Sequence, residues 1–453
     1  MLTIGASVFF VFSTMRRWTV LFLVAIIMMM GYIFWDIVSP LATQLKAPLS
    51  EGGMAWTATE YGFYAGSYSI LNIFLLMLFF GGIILDKFGI RFTGLLATGS
   101  MFLGSIINYL AITMISPLEE VNVWFTMFGL IPEHVKAQVL VAALGFGLFG
   151  MGCDITGITI SKIVTKWFTG HELASAMGVQ VALARLGTAS AISISPIIAQ
   201  HFGISAPILA GSAILAIGLF LFIVYCIMDK KFDDNNQKET KADQEEGFHL
   251  HDILAVLRNP GFWLIALICV FFYSSIRPFM KFATDILVNK YAINSVTAGW
   301  VVSIIPYGTI ILTPLFGTIF DKIGKGGILM AIGCGILTLA HLMLTLPTLN
   351  TTWISTLIML MIGIAFSLVP SALWPSIPKL IPLKQLGTAY SIIYYIQNLG
   401  LMLVPIWVGD VIDRNTSTSG TVDYTHPMFI FIGFGIAATI TAIILTTKEE
   451  RTT

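Results

Sequence analysis

The chain has 453 residues, of which 57% are hydrophobic and only 11% charged, against about 25% charged in a typical soluble domain. Twenty-four basic residues balance 24 acidic ones, so no basic surface points to nucleic acid. A soluble enzyme of this composition would expose far too much apolar surface, and the four cysteines (Cys153, Cys226, Cys269, Cys334) lie in apolar runs that suggest neither a disulfide framework nor a metal cluster.

A membrane-crossing helix needs about 20 apolar residues. That pattern recurs twelve times, at 18–43, 59–85, 92–115, 137–166, 172–200, 204–228, 260–284, 294–320, 326–347, 353–379, 386–412 and 427–447. The expectation is an all-α membrane protein with 12 transmembrane helices. An even number of crossings puts both ends on one side. That side would hold most of the lysines and arginines, while the other holds only Lys46, Lys136, Lys281, Lys290 and Arg414. By the positive-inside rule both termini are expected in the cytoplasm. Residues 1–17 read as a cytoplasmic extension, because the apolar 1–14 precede Arg16–Arg17 instead of following them as in a secretion signal; a start at Met15 fits equally.

Taken in chain order, span one ends in GYIFWD, which places Tyr32 and Asp36 in its outer part, to line a vestibule, to titrate or to hydrogen-bond structurally. Between spans two and three stands GIILDKFGIR, with Gly82, Asp86, Lys87, Gly89 and Arg91. Span four carries Asp154 in GMGCDITG, and span five carries Arg185. A carboxylate near the bilayer centre costs about 2.5–3.5 kcal/mol, so it needs a reason. Counted from the cytoplasmic ends of their helices, Asp154 and Arg185 lie roughly 18 and 21 Å deep at the rise of an α-helix. They are either a structural salt bridge or two halves of a cavity that takes a zwitterion, the guanidinium meeting a carboxylate and the aspartate an ammonium.

Residues 229–259 are polar and charged and read as a cytoplasmic linker between a six-span bundle at 18–228 and another at 260–447, with 448–453 a cytoplasmic tail. HDILAVLR, at the end of the linker, suits a short amphipathic helix as well as a solvated charge run. Span seven carries Tyr273, Arg277 and Lys281. The two cations are about one turn apart, placed to attract anions, to close an outer gate against Asp36, or to snorkel. GTIFDKIGKG, between spans eight and nine, repeats the G-x-x-x-D-K-x-G element with Gly317, Asp321, Lys322 and Gly324. Two copies at equivalent places argue for duplicated halves. Their first glycines suit close helix approach, their aspartates suit capping or pairing at a helix terminus, and their last glycines suit a tight turn. Trp374 and Gln397, in spans ten and eleven, are candidate cavity residues whose alternative is simple packing.

The paired element resembles that of the major facilitator superfamily, although Ile90 stands where a second basic residue is usual. The resemblance implies two pseudo-symmetric six-helix bundles that rock about a central site. A narrower resemblance, to the lysosomal dipeptide uniporter branch, is carried by GYIFWD, by Tyr68, Ser69 and Asn72, by FFGGIILDKFGIRF, KWFTGHELASAMGVQVALARLG and FFYSSIRPF, and by ALWPSIPKLIPLKQLGTAY with IQNLGL. It implies that Asp154 and Arg185 contact the amino and carboxyl ends of a short peptide. Asp154 departs from the glutamate of that branch, and Arg277 from an apolar position.

The sequence therefore predicts a secondary transporter of dipeptides or similar small zwitterions, by uniport or with a proton carried by Asp36 or Asp154. The alternatives are an organic-anion carrier built on Arg185, Arg277 and Lys281, or a non-transporting receptor. No phosphate-cradling loop or zinc helix is present, so neither enzyme chemistry nor a cofactor or metal is expected. The partners expected are the substrate and the lipid bilayer; nothing in the sequence names an accessory subunit. The absence of a sorting signal favours a bacterial cytoplasmic membrane, with a lysosomal membrane the expectation for a eukaryotic source.

Overall fold

A computed structural model describes residues 2–123, 133–169, 171–235, 250–382, 385–417 and 420–450. Within these it describes all side chains except those of 2–14, 78, 79, 86, 174, 232, 234, 235, 250–253, 449 and 450. The first half holds α1 (Leu2–Asp36), α2 (Ala42–Lys46), α3 (Ala58–Ser67), α4 (Ile70–Phe74), α5 (Met77–Met114), a small hairpin of β1 (Glu120–Asn122) and β2 (His134–Lys136), α6 (Ala137–Phe168), α7 (Leu173–Phe202) and α8 (Ala206–Asn235). After α9 (Leu250–Leu257) the second half holds α10 (Pro260–Tyr291), α11 (Ser295–Ile323), α12 (Gly326–Thr345), α13 (Thr352–Leu380), α14 (Leu386–Arg414) and α15 (Thr425–Glu450).

Eleven helices among the described residues are long and apolar enough to cross a membrane. The remaining crossing is the second, expected as one helix over 59–85. It is assembled from α3, α4 and the start of α5, with a turn at Tyr68–Ser69 and a left-handed residue at Leu76 (φ 49°). Broken helices are tolerated at membrane depth where protein or a cavity satisfies the freed backbone. The turn into the third crossing falls at Gly89 (φ 79°) and the end of α11 at Gly324 (φ 69°), both conformations that only glycine adopts without strain. The molecule is thus an all-α, multi-pass membrane protein of two six-helix bundles.

Within the first bundle, α5 lies against α6 with backbone almost touching backbone. A Cβ at Gly104 would sit 2.5 Å from the Gly145 carbonyl oxygen, and one at Gly145 would sit 2.7 Å from that of Gly104. Small residues at such a crossing let dispersion and packing hold helices that lipid does not push together. The bundles meet in the same way. On α3, a Cβ at Gly62 would lie 2.2 Å from the Pro405 oxygen of α14, and one at Gly409 on α14 would lie 2.2 Å from the Ala58 oxygen. Gly299 on α11 backs onto the Ile192 oxygen of α7 at 2.7 Å. These contacts lie on the halves of the helices remote from the chain ends, here called the far face.

Three carboxylates latch the far face. Asp413, near the end of α14, accepts from the Ala58 and Thr59 amides (2.8 and 2.7 Å) and from the Thr59 hydroxyl (2.6 Å), so an acidic side chain of one bundle caps the start of α3 in the other. Asp285 on α10 is fully buried and accepts from Lys46 (2.5 Å), Thr43 (2.8 Å) and Tyr424 (2.6 Å). Asp36 at the end of α1 accepts from Lys281 of α10 at 2.7 Å.

The repeated loop element lies at the opposite face. A Cβ on Gly82 or Gly317 would meet nothing within 4 Å, so neither glycine makes the close helix approach expected of it. Asp321, Lys322 and Lys87 are exposed, and the side chain of Asp86 lies outside the described residues. Arg91 is engaged within its own bundle: it reaches Asp233 at 2.9 Å and Asp229 at 3.6 Å, and Lys166 completes the cluster at 2.9 Å from Asp229 and 2.8 Å from Asp233. Much of the expected linker, 236–249, lies outside the described residues. Its start continues α8 to Asn235, and its end forms α9.

Candidate functional site

The break between α3 and α4 shapes the centre of the molecule. It frees Tyr68 and Ser69 from the helical ladder and aims them into the space between the bundles. The Tyr68 ring stacks flat on Trp35 of α1, with centroids 4.3 Å apart and 2° between planes. Its hydroxyl donates to one oxygen of Asp154 at 2.7 Å, and Asn72 donates to the other at 2.6 Å. Ser69 donates to Asn398 of α14 at 2.6 Å, tying the break to the second bundle. Asp154 is therefore oriented by two neutral donors and, among the described residues, forms no ion pair.

Arg185 is not paired with it. Among the described residues the Arg185 guanidinium forms no ion pair, and its buried Nη1 has no hydrogen-bond partner. What holds it is an aromatic face: its guanidinium carbon lies 4.6 Å from the ring centroid of Phe366 on α13. A cation over a desolvated ring gains roughly 2 kcal/mol, which orients the group and leaves its hydrogen-bonding edge unspent. Of the two expectations for Asp154 and Arg185, the direct salt bridge is not formed. Tyr32 stands among these groups, within electrostatic reach of Arg185, Arg277 and Asp154.

Asp36 is only 1% exposed. It does not line an open vestibule, because its oxygens face Lys281 (2.7 Å), the Ser39 hydroxyl (3.3 Å) and, more distantly, Arg277 (3.8 Å). Lys281 also donates to the Trp35 carbonyl and to Ser39, at 2.8 and 3.0 Å. Arg277 and Lys281 are 7% and 8% exposed, so they do not snorkel to an interface. Arg277 is sandwiched: its guanidinium carbon lies 4.6 Å from the Trp35 ring and 5.4 Å from Phe366. A small cavity of about 20 Å³ lies here, bounded by Trp35, Tyr68, Ser69, Arg277, Lys281 and Pro405 among others.

Toward the other face the walls are aromatic. Trp374 stacks on Tyr394 (5.0 Å, 29°) and donates to the Tyr273 hydroxyl at 3.3 Å, while Tyr273 meets the edge of Phe366. Gln397 accepts weakly from the Cys269 thiol at 3.7 Å. The structure thus gathers Tyr32, Asp154, Arg185, Tyr273, Arg277, Trp374 and Gln397 around the centre and sets Asp36 into the gate above it. Sequence reasoning missed Trp35 and Tyr68 as site residues, although both lie in quoted motifs. It missed Phe366 altogether, because a phenylalanine in an apolar run carries no signal of its own.

The described residues contain no group of His, Cys, Asp and Glu suited to a metal ion. Comparison with known proteins places this arrangement. The model of the Major Facilitator Superfamily matches residues 20–405. The chain is 27% identical over 410 residues to the lysosomal dipeptide transporter MFSD1 of Bos taurus, covering 88% of this chain and 80% of that protein. Among solved structures it is similar to the nucleoside transporter NupG, with a TM-score of 0.67 at 14% identity over 94% of this chain and 98% of that one. It is also similar to a bacterial homologue of the human lysosomal transporter Spinster, with a TM-score of 0.70 at 12% identity over 95% and 96%. These likenesses set aside the receptor and enzyme readings. The chain belongs to the major facilitator superfamily and is a secondary transporter that works by alternating access.

Proposed function

We propose that this transporter carries dipeptides or similar small zwitterions, with Arg185 as the carboxylate anchor and Asp154 as the amine anchor. One observation carries the reading: of two opposite buried charges, Asp154 is held by two neutral donors and Arg185 by an aromatic ring, and neither is neutralised by the other. Burying an unpaired charge is costly, and a ligand with a charge at each end relieves both sites at once. A guanidinium offers two parallel donors to a carboxylate, and the Asp154 oxygens can each accept one more hydrogen bond beside Tyr68 and Asn72. Tyr273, Trp374 and Tyr394 supply apolar walls for side chains. The similarity to lysosomal dipeptide transporters supports the same substrate class.

The bundles are taken as 18–228 and 260–447, and both ends as cytoplasmic from the distribution of lysine and arginine; a bacterial cytoplasmic membrane is the location favoured, since no sorting signal is seen in the sequence. On that orientation the latched far face is the outer gate, and the conformation faces inward. The second reading, an organic-anion carrier, has the convergence of Arg185 and Arg277 on Phe366 in its favour.

The test is uptake of labelled dipeptides into proteoliposomes, with and without a pH gradient. Saturable uptake that Arg185→Ala abolishes and dicarboxylates fail to compete is the expected result. A response to the gradient decides between proton coupling and uniport. Absence of uptake over a mixed dipeptide panel, with folded protein, overturns the peptide assignment.

A further inference from the structure

The charges around the centre do not balance. Two carboxylates face it, Asp36 and Asp154, against three cations, Arg185, Arg277 and Lys281. Toward the far face Asp285 pairs with Lys46 and Glu60 with Lys136, while Asp413 is spent on the amides that start α3. Asp36 gives its short contact to Lys281, and its nearest approach to Arg277 is 3.8 Å, beyond hydrogen-bonding distance. Among the described residues Arg277 makes no hydrogen bond. It is held by the rings of Trp35 and Phe366, and it borders the central cavity. A neutral zwitterion matched to Arg185 and Asp154 leaves that one positive charge uncompensated in a site of low dielectric.

We infer that the preferred substrate is a dipeptide bearing one additional carboxylate, an acidic side chain, and that Arg277 is the residue that selects it. The inference rests on the peptide reading above and adds the net charge of the ligand. Arg185 and Arg277 come from opposite bundles and pack against the same ring of Phe366. A dipeptide spans about 7 Å at extended-chain spacing, so its terminal and side-chain carboxylates can reach one guanidinium each. Such a ligand would bridge α7 to α10. The guanidinium of Arg277, planar and carried on a proline-adjacent turn of α10, presents a fork that fits a carboxylate bidentately. An amide of the same size cannot replace it, because it brings no charge.

The experiment is competition against uptake of labelled Ala-Gln by unlabelled Ala-Glu, Ala-Gln and glutarate, in wild type, Arg277→Leu and Arg277→Lys. In wild type Ala-Glu should inhibit at a concentration at least about tenfold lower than Ala-Gln, the size of one hydrogen bond between charged groups. The readout is this ratio, whatever the absolute rates. It should fall to about one in Arg277→Leu and recover in part in Arg277→Lys. Equal inhibition by the acid and the amide in wild type overturns the inference, as does a ratio that survives in Arg277→Leu. If Arg277→Leu fails to fold, the wild-type ratio and its reduction in Arg277→Lys decide. Inhibition by glutarate with none by either dipeptide overturns the inference through the peptide reading itself, a failure distinct from a transporter that takes both dipeptides alike.

Discussion

Arg185 illustrates how a buried charge is kept usable. Salt bridging would satisfy it permanently, whereas the face of Phe366 positions it and leaves its donors available. Phe366→Leu should therefore raise the KM for a dipeptide by about tenfold, within the range of a cation–π contact of about 0.5–2 kcal/mol. Phe366→Tyr should restore it, and transport kinetics in proteoliposomes check both. Asp36 and Lys281 behave differently, since they satisfy one another at 2.7 Å in a buried place. Removing one partner of such a pair costs about 3–5 kcal/mol, while replacing both by apolar residues costs far less. Asp36→Leu with Lys281→Met should thus be more stable to heat than Lys281→Met alone. The converse order would mean that the pair does not hold the gate. At this scale the charged residues were legible from sequence because an ionisable group in an apolar run stands out. Their partners were not. That Asp154 would turn to Tyr68 and Asn72 follows from the break in the second crossing, and that Arg277 would meet two rings follows from the packing of α10 against α1 and α13; no local pattern announces either.

Helices explain both closure and release of the far face. At Gly62 the contact of α3 with α14 is glycine against backbone, so there is no side chain at that point to give way. Gly62→Leu would put a Cβ 2.2 Å from the Pro405 oxygen, and the two helices must part. In that variant an Ala65→Cys reporter on the cavity wall should react with a membrane-impermeant thiol reagent from the far face at least about ten times faster, as expected when the closed state loses its advantage. An unchanged rate would show that the gate does not depend on this contact. Asp413→Asn is a milder perturbation. It weakens one charged cap of α3, worth about 1 kcal/mol, and should raise the same labelling rate roughly fivefold. Most boundaries of the long helices were readable from apolar length, but α1 stops at Asp36 instead of 43, and α8 and α10 run on to Asn235 and Tyr291 past their apolar ends. The second crossing was not, because hydropathy does not distinguish one helix from three fragments in line. Gly82 and Gly317 were expected at close helix approaches and instead face open space, since a small residue in a loop motif does not say which neighbour it meets.

The whole molecule presents two six-helix bundles latched at one face, with an unmatched cation and an oriented carboxylate between them. The fold was the most legible property, because duplicated loop elements and twelve apolar runs leave few architectures. The central claim is that Arg185 and Asp154 grip opposite ends of one small peptide. It is tested most directly by measuring binding of a dipeptide, its N-acetyl form and its C-terminal amide to wild type, Asp154→Asn and Arg185→Gln. Blocking either end should weaken binding to wild type by about tenfold or more. Acetylation should cost little further in Asp154→Asn, and amidation little further in Arg185→Gln, since each modification removes the partner already lost. Blocked peptides that bind wild type as well as the unblocked one, or penalties that simply add in the variants, would contradict a two-ended grip by these residues.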